Sequence, residues 1–336
     1  MTRIITITIL SAVAVFAQHG PGMMRAGQPI PSEIPSPANP FTPAKVDLGR
    51  MLYFETRLSK NQKISCNTCH PLGSYGADGK RVSTGQGGQE GNRNSPTVYN
   101  AAAHFVQFWD GRASDVEEQA KGPVLNPVEM AMPTGDSVVR VLKSIPGYVT
   151  AFQAAFPGES DPVTFDNMAR AIGVFERKLT TPSRWDKFAG GDHAAITQQE
   201  MRGWMTFRHA GCTTCHNGPA IGGTSFQKLG ASVAWPQPSD QGRYEVTKAE
   251  ADRLMFKVPS LRNVEKTGPY FHDGRVRTVE DAVRLMGKHQ LGIDLQDSDI
   301  ESITAWFHTL TGPLPQEYIH PPKLPAGTAE TPKPLE

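Results

Sequence analysis

Cysteine is scarce in this chain, charge is nearly balanced, and apolar runs are short. Only 4 of the 336 residues are Cys, which excludes the disulfide-dense scaffolds of small exported proteins. The 34 Lys and Arg are offset by 33 Asp and Glu, a formal charge of +1. A nucleic-acid binder needs a basic excess to neutralise phosphates, so that partner class is set aside. Beyond the first residues, no run approaches the roughly 20 apolar residues that span a bilayer, and a membrane span is not expected. The apolar share is 38% without glycine, at the low end for a globular chain once glycine is counted. What is abundant is punctuation. The 32 Gly and 28 Pro, against a usual combined share of about 12%, predict much irregular backbone between elements.

The ends of the chain differ from its middle. Arg3, the apolar run over residues 4–16 and the small residues up to Ala17 have the layout of a secretory signal peptide (1–17) cut after Ala17. A membrane anchor would need a longer run. Residues 18–43 and 313–336 are rich in proline and small side chains and read as extended arms that cannot bury a core of their own.

The four cysteines fall as Cys66-Asn67-Thr68-Cys69-His70 and Cys212-Thr213-Thr214-Cys215-His216. Cys-x-x-Cys-His is the pattern of c-type haem attachment. Two thiols three positions apart can each add to a haem vinyl group, and the adjacent imidazole comes under the iron as its proximal ligand. A thioredoxin-like redox pair or a shared four-cysteine metal site would explain the thiols. Neither explains a His directly after both pairs, and no βαβ pattern surrounds them. Two covalent haem c groups are predicted, with His70 and His216 beneath the irons.

A second repeat lies outside these motifs. Pro96, Asn100, Asp110-Gly111-Arg112 and Val116-Glu117 recur at the same spacing as Pro259, Asn263, Asp273-Gly274-Arg275 and Val279-Glu280. The halves read as diverged copies of one unit. Helical periodicity is visible over residues 137–145, 165–179, 197–209 and 300–310, with few strand-like alternations. The expected fold is mostly α, with long loops and two cytochrome c-like haem domains at 44–185 and 186–312.

These strings together resemble the bacterial di-haem cytochrome c peroxidases. The resemblance runs through Leu48-Gly49-Arg50, Arg57-Leu58-Ser59, Arg93-Asn94-Ser95-Pro96, Phe108-Trp109-Asp110-Gly111-Arg112, Gln119-Ala120-Lys121-Gly122-Pro123, Phe256-Lys257-Val258-Pro259 and Pro269-Tyr270-Phe271-His272-Asp273-Gly274 to Met286. It implies a periplasmic homodimer that reduces hydrogen peroxide to water with electrons from a small cytochrome c or cupredoxin. It places a high-potential haem on His216 and Met286, and the peroxidatic haem on His70. Glu129 matches the distal acid-base residue, Gln119 and Pro123 match residues near that pocket, and Trp109 matches the aromatic group between the haems. A calcium ion is implied at Asn94, Thr267 and Pro269. Plain readings stand beside these: a solvated carboxylate for Glu129, core packing for Met286 and for Trp109. Met255 is the competing thioether.

One position departs from the resemblance. Where many such proteins carry a histidine that closes the peroxidatic iron in the oxidised state, this chain has Gln86. An amide is a poor ligand for ferric iron, so the expected site is open without reductive activation. His104 is the possible substitute ligand, though packing is the plainer role for it. Two other functions compete. A di-haem electron carrier would need both irons closed. An oxidase of the methylamine-utilisation type would carry tyrosine in place of Met286.

Overall fold

The computed structural model describes residues 28–236 and 239–335, so the expected signal peptide lies outside the described residues. Helices dominate: α1 (Pro43–Tyr53), α2 (Cys66–Cys69), α3 (Val116–Leu125), α4 (Gly135–Lys143), α5 (Pro146–Ala155), α6 (Phe165–Glu176), α7 (Arg184–Ala189), α8 (Gln198–His209), α9 (Tyr244–Thr247), α10 (Val279–Leu285) and α11 (Asp297–Phe307). Strand is confined, among the described residues, to an antiparallel pair, β1 (Phe226–Lys228) and β2 (Met255–Lys257), with Gln227 opposite Phe256. No described helix is long and apolar enough to cross a membrane.

Local chemistry sets the helix ends. Thr42, Asp115, Thr134, Thr164 and Thr278 each accept a backbone N–H of the first turn they precede, satisfying a donor that the helix cannot. Thr197 and Glu200 cap α8 reciprocally. The period read over 165–179 ends earlier, at Glu176. Thr180 and Thr181 are β-branched, and Thr181 precedes Pro182, which disfavours helical backbone there.

Two helix pairs build two cores. In the first half α1 packs on α6, and in the second α8 packs on α11. Both crossings need a glycine. A Cβ on Gly49 would lie 2.0 Å from the Ala171 carbonyl oxygen, and one on Gly203 1.8 Å from that of Ser302. Around α1 and α6 the core is largely aliphatic, with Leu48, Leu52, Val141, Phe152 and Ile172. Around α8 and α11 it is aromatic: Trp204 and Phe207 pack on Trp306 at centroid distances of 5.0 and 4.7 Å. Leu179 belongs to the core of the first half and Trp185 to that of the second.

Residues 163 positions apart share conformations. Asn100 and Asn263 are both left-handed, at φ 63° and 60°, as are Phe108 and Phe271, at 64° and 67°. The bridge Gln107–Ala113 is matched by Tyr270–Val276. The chain after Gly312 turns back over the first half. The Arg50 and Arg57 guanidiniums donate to the His320 and Pro325 carbonyls at 2.9 and 2.8 Å, and the Leu335 N–H to the Lys60 carbonyl at 2.9 Å.

Candidate functional site

Each Cys-x-x-Cys-His segment folds as a single tight turn. The N–H of His70 donates to the Cys66 carbonyl at 2.9 Å, and that of His216 to the Cys212 carbonyl at 3.0 Å. Each turn borders its own cavity. One, of about 800 Å³, carries Cys66, Cys69 and His70 in its wall; the other, of about 230 Å³, carries Cys212, Cys215, His216 and Met286. All four cysteines are free. Burial pushes their thiols up, that of Cys212 to about 11.

The imidazoles are held alike. Nδ1 of His70 lies 3.2 Å from the Gly76 carbonyl, and Nδ1 of His216 lies 3.4 Å from that of Ile221. A carbonyl only accepts, so Nδ1 carries the hydrogen and Nε2 keeps its lone pair for a metal. Burial lowers both imidazoles, His216 to about 4. Two thiols and a neutral imidazole on the wall of each cavity are the donor set that covalent haem requires.

A shared wall separates the cavities. Asn94, His104, Trp109 and Lys257 border both. Trp109 is fixed by its backbone and its ring together: its indole N–H donates to the Asn94 carbonyl at 2.9 Å, and its own carbonyl accepts from the Lys257 N–H at 2.8 Å. His104 meets the Lys257 amine through Nδ1 at 3.0 Å. Thr267 and Pro269 border the C-terminal cavity along with Asn94. Among the described residues no group of three His, Cys, Asp or Glu gathers as a metal site, so a cation at Asn94 would depend on neutral oxygens.

Glu129 stands in the wall of the larger cavity with Gln119 and Pro123 of α3. Its position follows from the turn after α3. The Glu129 N–H donates to the Asn126 carbonyl at 3.0 Å, and the Asn126 amide donates to the Glu129 carboxylate at 2.9 Å. Burial raises the Glu129 carboxyl above its ordinary range, opposed by the Arg112 charge and the Asn126 amide.

Gln86 is found behind Glu129 rather than in the cavity wall. Its N–H donates to the Glu129 carbonyl at 2.8 Å, and it is Ser83, Gly85 and Gly91 of that loop that border the cavity. A Cβ at Gly85 would lie 2.1 Å from the Val128 carbonyl oxygen, so only glycine lets the two loops touch. The thioethers separate as well: Met286 borders the C-terminal cavity and Met255 does not.

Sequence reasoning passed over Glu176. It is buried in α6, borders the larger cavity, and has its carboxyl pushed up to about 8, first by burial and then by Glu117. The available signal was an acid closing the apolar stretch Ala171-Ile172-Gly173-Val174-Phe175, where a carboxylate is rarely buried unpaired. The contact between His104 and Lys257, 153 residues apart, left no sequence signal.

Comparison with known proteins identifies the family. The sequence profile of di-haem cytochrome c peroxidase matches residues 43–194. The chain is 45% identical over 316 residues to cytochrome c551 peroxidase of Pseudomonas aeruginosa, covering 92% of this chain and 90% of that one. It is 44% identical over 338 residues to cytochrome c551 peroxidase of Nitrosomonas europaea, covering 98% of each. Among solved structures, a MauG-like protein associated with microbial copper homeostasis superposes with a TM-score of 0.75 at 28% identity, over 87% of this chain and 95% of that chain. The chain belongs to the di-haem cytochrome c peroxidase family and is a cytochrome-c peroxidase.

Proposed function

We propose that hydrogen peroxide is reduced to water in the N-terminal cavity, with electrons from a small soluble cytochrome c or cupredoxin entering through the C-terminal half. Cys66, Cys69 and His70 would hold one haem c, and Cys212, Cys215, His216 and Met286 the other. The bound haems supply the redox-active iron, and a thioether ligand raises the potential of the second and closes it to small ligands.

The chain's own residues handle the protons. The Glu129 carboxylate takes a proton from one peroxide oxygen and returns it to the other, which leaves as water. With two electrons and two protons consumed, both oxygens end as water. Asn126 aims the carboxylate through its 2.9 Å hydrogen bond. Gln119 and Arg112 add polar groups to the same wall. Trp109, bordering both cavities, offers an aromatic bridge for electrons between them.

Gln86 bears on the resting state. Its loop is tied to the backbone of Glu129, and it brings no imidazole to the cavity, which favours a peroxidatic site ready without prior reduction. The conformations shared at a spacing of 163 residues support two copies of one haem domain, divided near residue 185. Calcium at Asn94, Thr267 and Pro269 would brace the join.

One observation carries this reading: the Glu129 carboxyl and the Cys66–His70 turn border the same cavity. Glu129→Gln tests it. Covalent haem content should stay complete while peroxide turnover falls by about 10²–10⁴-fold, and near-normal turnover would remove Glu129 from the mechanism. An electron carrier has no use for that carboxyl, and Met286 disfavours the methylamine-utilisation chemistry.

A further inference from the structure

We propose that the C-terminal tail, residues 325–335, is a positioning strap for Glu129, acting through Lys60. The inference rests on the reading of Glu129 as the proton-transfer residue.

Lys60 is the splice. Its N–H donates to the Met130 carbonyl at 2.8 Å, and its carbonyl accepts from the Leu335 N–H at 2.9 Å. Three segments distant in sequence thus join side by side, and Met130 is the neighbour of Glu129. Two further contacts seat the tail on the same loop. The Gln62 amide donates to the Pro332 carbonyl at 2.8 Å, and the Arg57 guanidinium to the Pro325 carbonyl at 2.8 Å.

The joined loops are conformationally demanding. Gln62 and Ala131 hold φ of 56° and 58°, in the left-handed region that L-residues occupy only where surrounding contacts impose it. Ala131 directly follows Met130, and Gln62 lies two residues after Lys60. Gln62 commits its side chain to the tail, and Ala131 is pinned by its N–H to the Asn126 carbonyl at 2.9 Å. Asn126 is also the donor to the Glu129 carboxylate. The strap, the Lys60 loop and the Asn126 turn therefore form one hydrogen-bonded path ending at that carboxylate.

The tail leaves the C-terminal half at Gly312, whose N–H donates to the Asn263 side chain at 3.1 Å. A segment rooted in one half thus fixes the acid-base group of the other. Loosening it should let water reach Glu129, and a less buried carboxyl has a lower pKa.

The test uses the haem-loaded full chain, a truncation lacking residues 325–336, Leu335→Pro, and Glu129→Gln. Leu335→Pro deletes a single N–H at the exposed end of the tail. Haem content and the C-terminal haem spectrum should match the parent in both strap variants. In Leu335→Pro kcat should fall by about three- to tenfold, the value of one lost hydrogen bond, and in the truncation, which loses all three tail contacts, by at least as much, with KM for the electron donor unchanged in both. The acid limb of kcat should move to lower pH, which a loss of folded protein alone would not cause. A synthetic peptide of residues 325–336 should restore turnover to the truncated protein. Parental kcat and an unmoved acid limb in Leu335→Pro would overturn the strap, even if the truncation loses haem. Near-normal turnover in Glu129→Gln would instead overturn the reading beneath it, and the proposal with it.

Discussion

Asn100 and Asn263 donate their side-chain amides to one hydroxyl, that of Thr181, at 2.8 and 2.9 Å. Both asparagines are buried and left-handed, and they occupy matching places in the two halves. Thr181 is itself fully buried where the chain passes from one half to the other. Thr181→Val keeps the shape and removes the acceptor of both bonds. Leaving two buried amides short should cost about 2–4 kcal/mol, read as a lower thermal midpoint with both haems still attached. An unchanged midpoint would mean that the shared hydroxyl contributes nothing to the join.

Much of this was legible in the chain. The haem turns were, because covalent attachment imposes a fixed local spacing that survives any change in fold. Matched Asn100 and Asn263 were visible too, since the left-handed turn they form favours Asn. The role of the tail was not. Leu335, Lys60 and Met130 meet through backbone atoms, and a backbone hydrogen bond places no demand on side-chain identity. Gln86 shows a subtler limit. Its residue type spoke against an imidazole ligand, but its position behind Glu129 follows from Gly85, where a Cβ would strike Val128. Helix ends were read to within a few residues, and the early stop of α6 follows from Thr180-Thr181-Pro182.

Met286 and Met255 give a direct comparison. Met286→His should retain two covalent haems and lower the potential of the C-terminal haem strongly, because imidazole favours the ferric state relative to a thioether. Met255→Leu should leave that potential near the parental value. Redox titration followed in the visible spectrum distinguishes the two, and the reverse pattern would assign the ligand to Met255.

The pH dependence follows from the surroundings of Glu129. Its carboxyl must be ionised to accept a proton, so kcat/KM should be lost as pH falls through its pKa. Burial raises that value, and the Arg112 charge holds it down. The acid limb should therefore lie above the ordinary glutamate value of about 4.3. Arg112→Leu removes the opposing charge and should move the limb higher still. A limb that moves lower would contradict the assignment.

Peroxide reduction as proposed needs an N-terminal haem pocket with Glu129 in its wall and no closing ligand from the Gln86 loop. The electron paramagnetic resonance spectrum of the fully oxidised, haem-loaded protein tests it most directly. The expected spectrum holds one low-spin haem with His216 and Met286 as ligands and one high-spin ferric haem on His70. A second low-spin signal of the bis-histidine type would show the N-terminal iron to be closed, and would contradict the account.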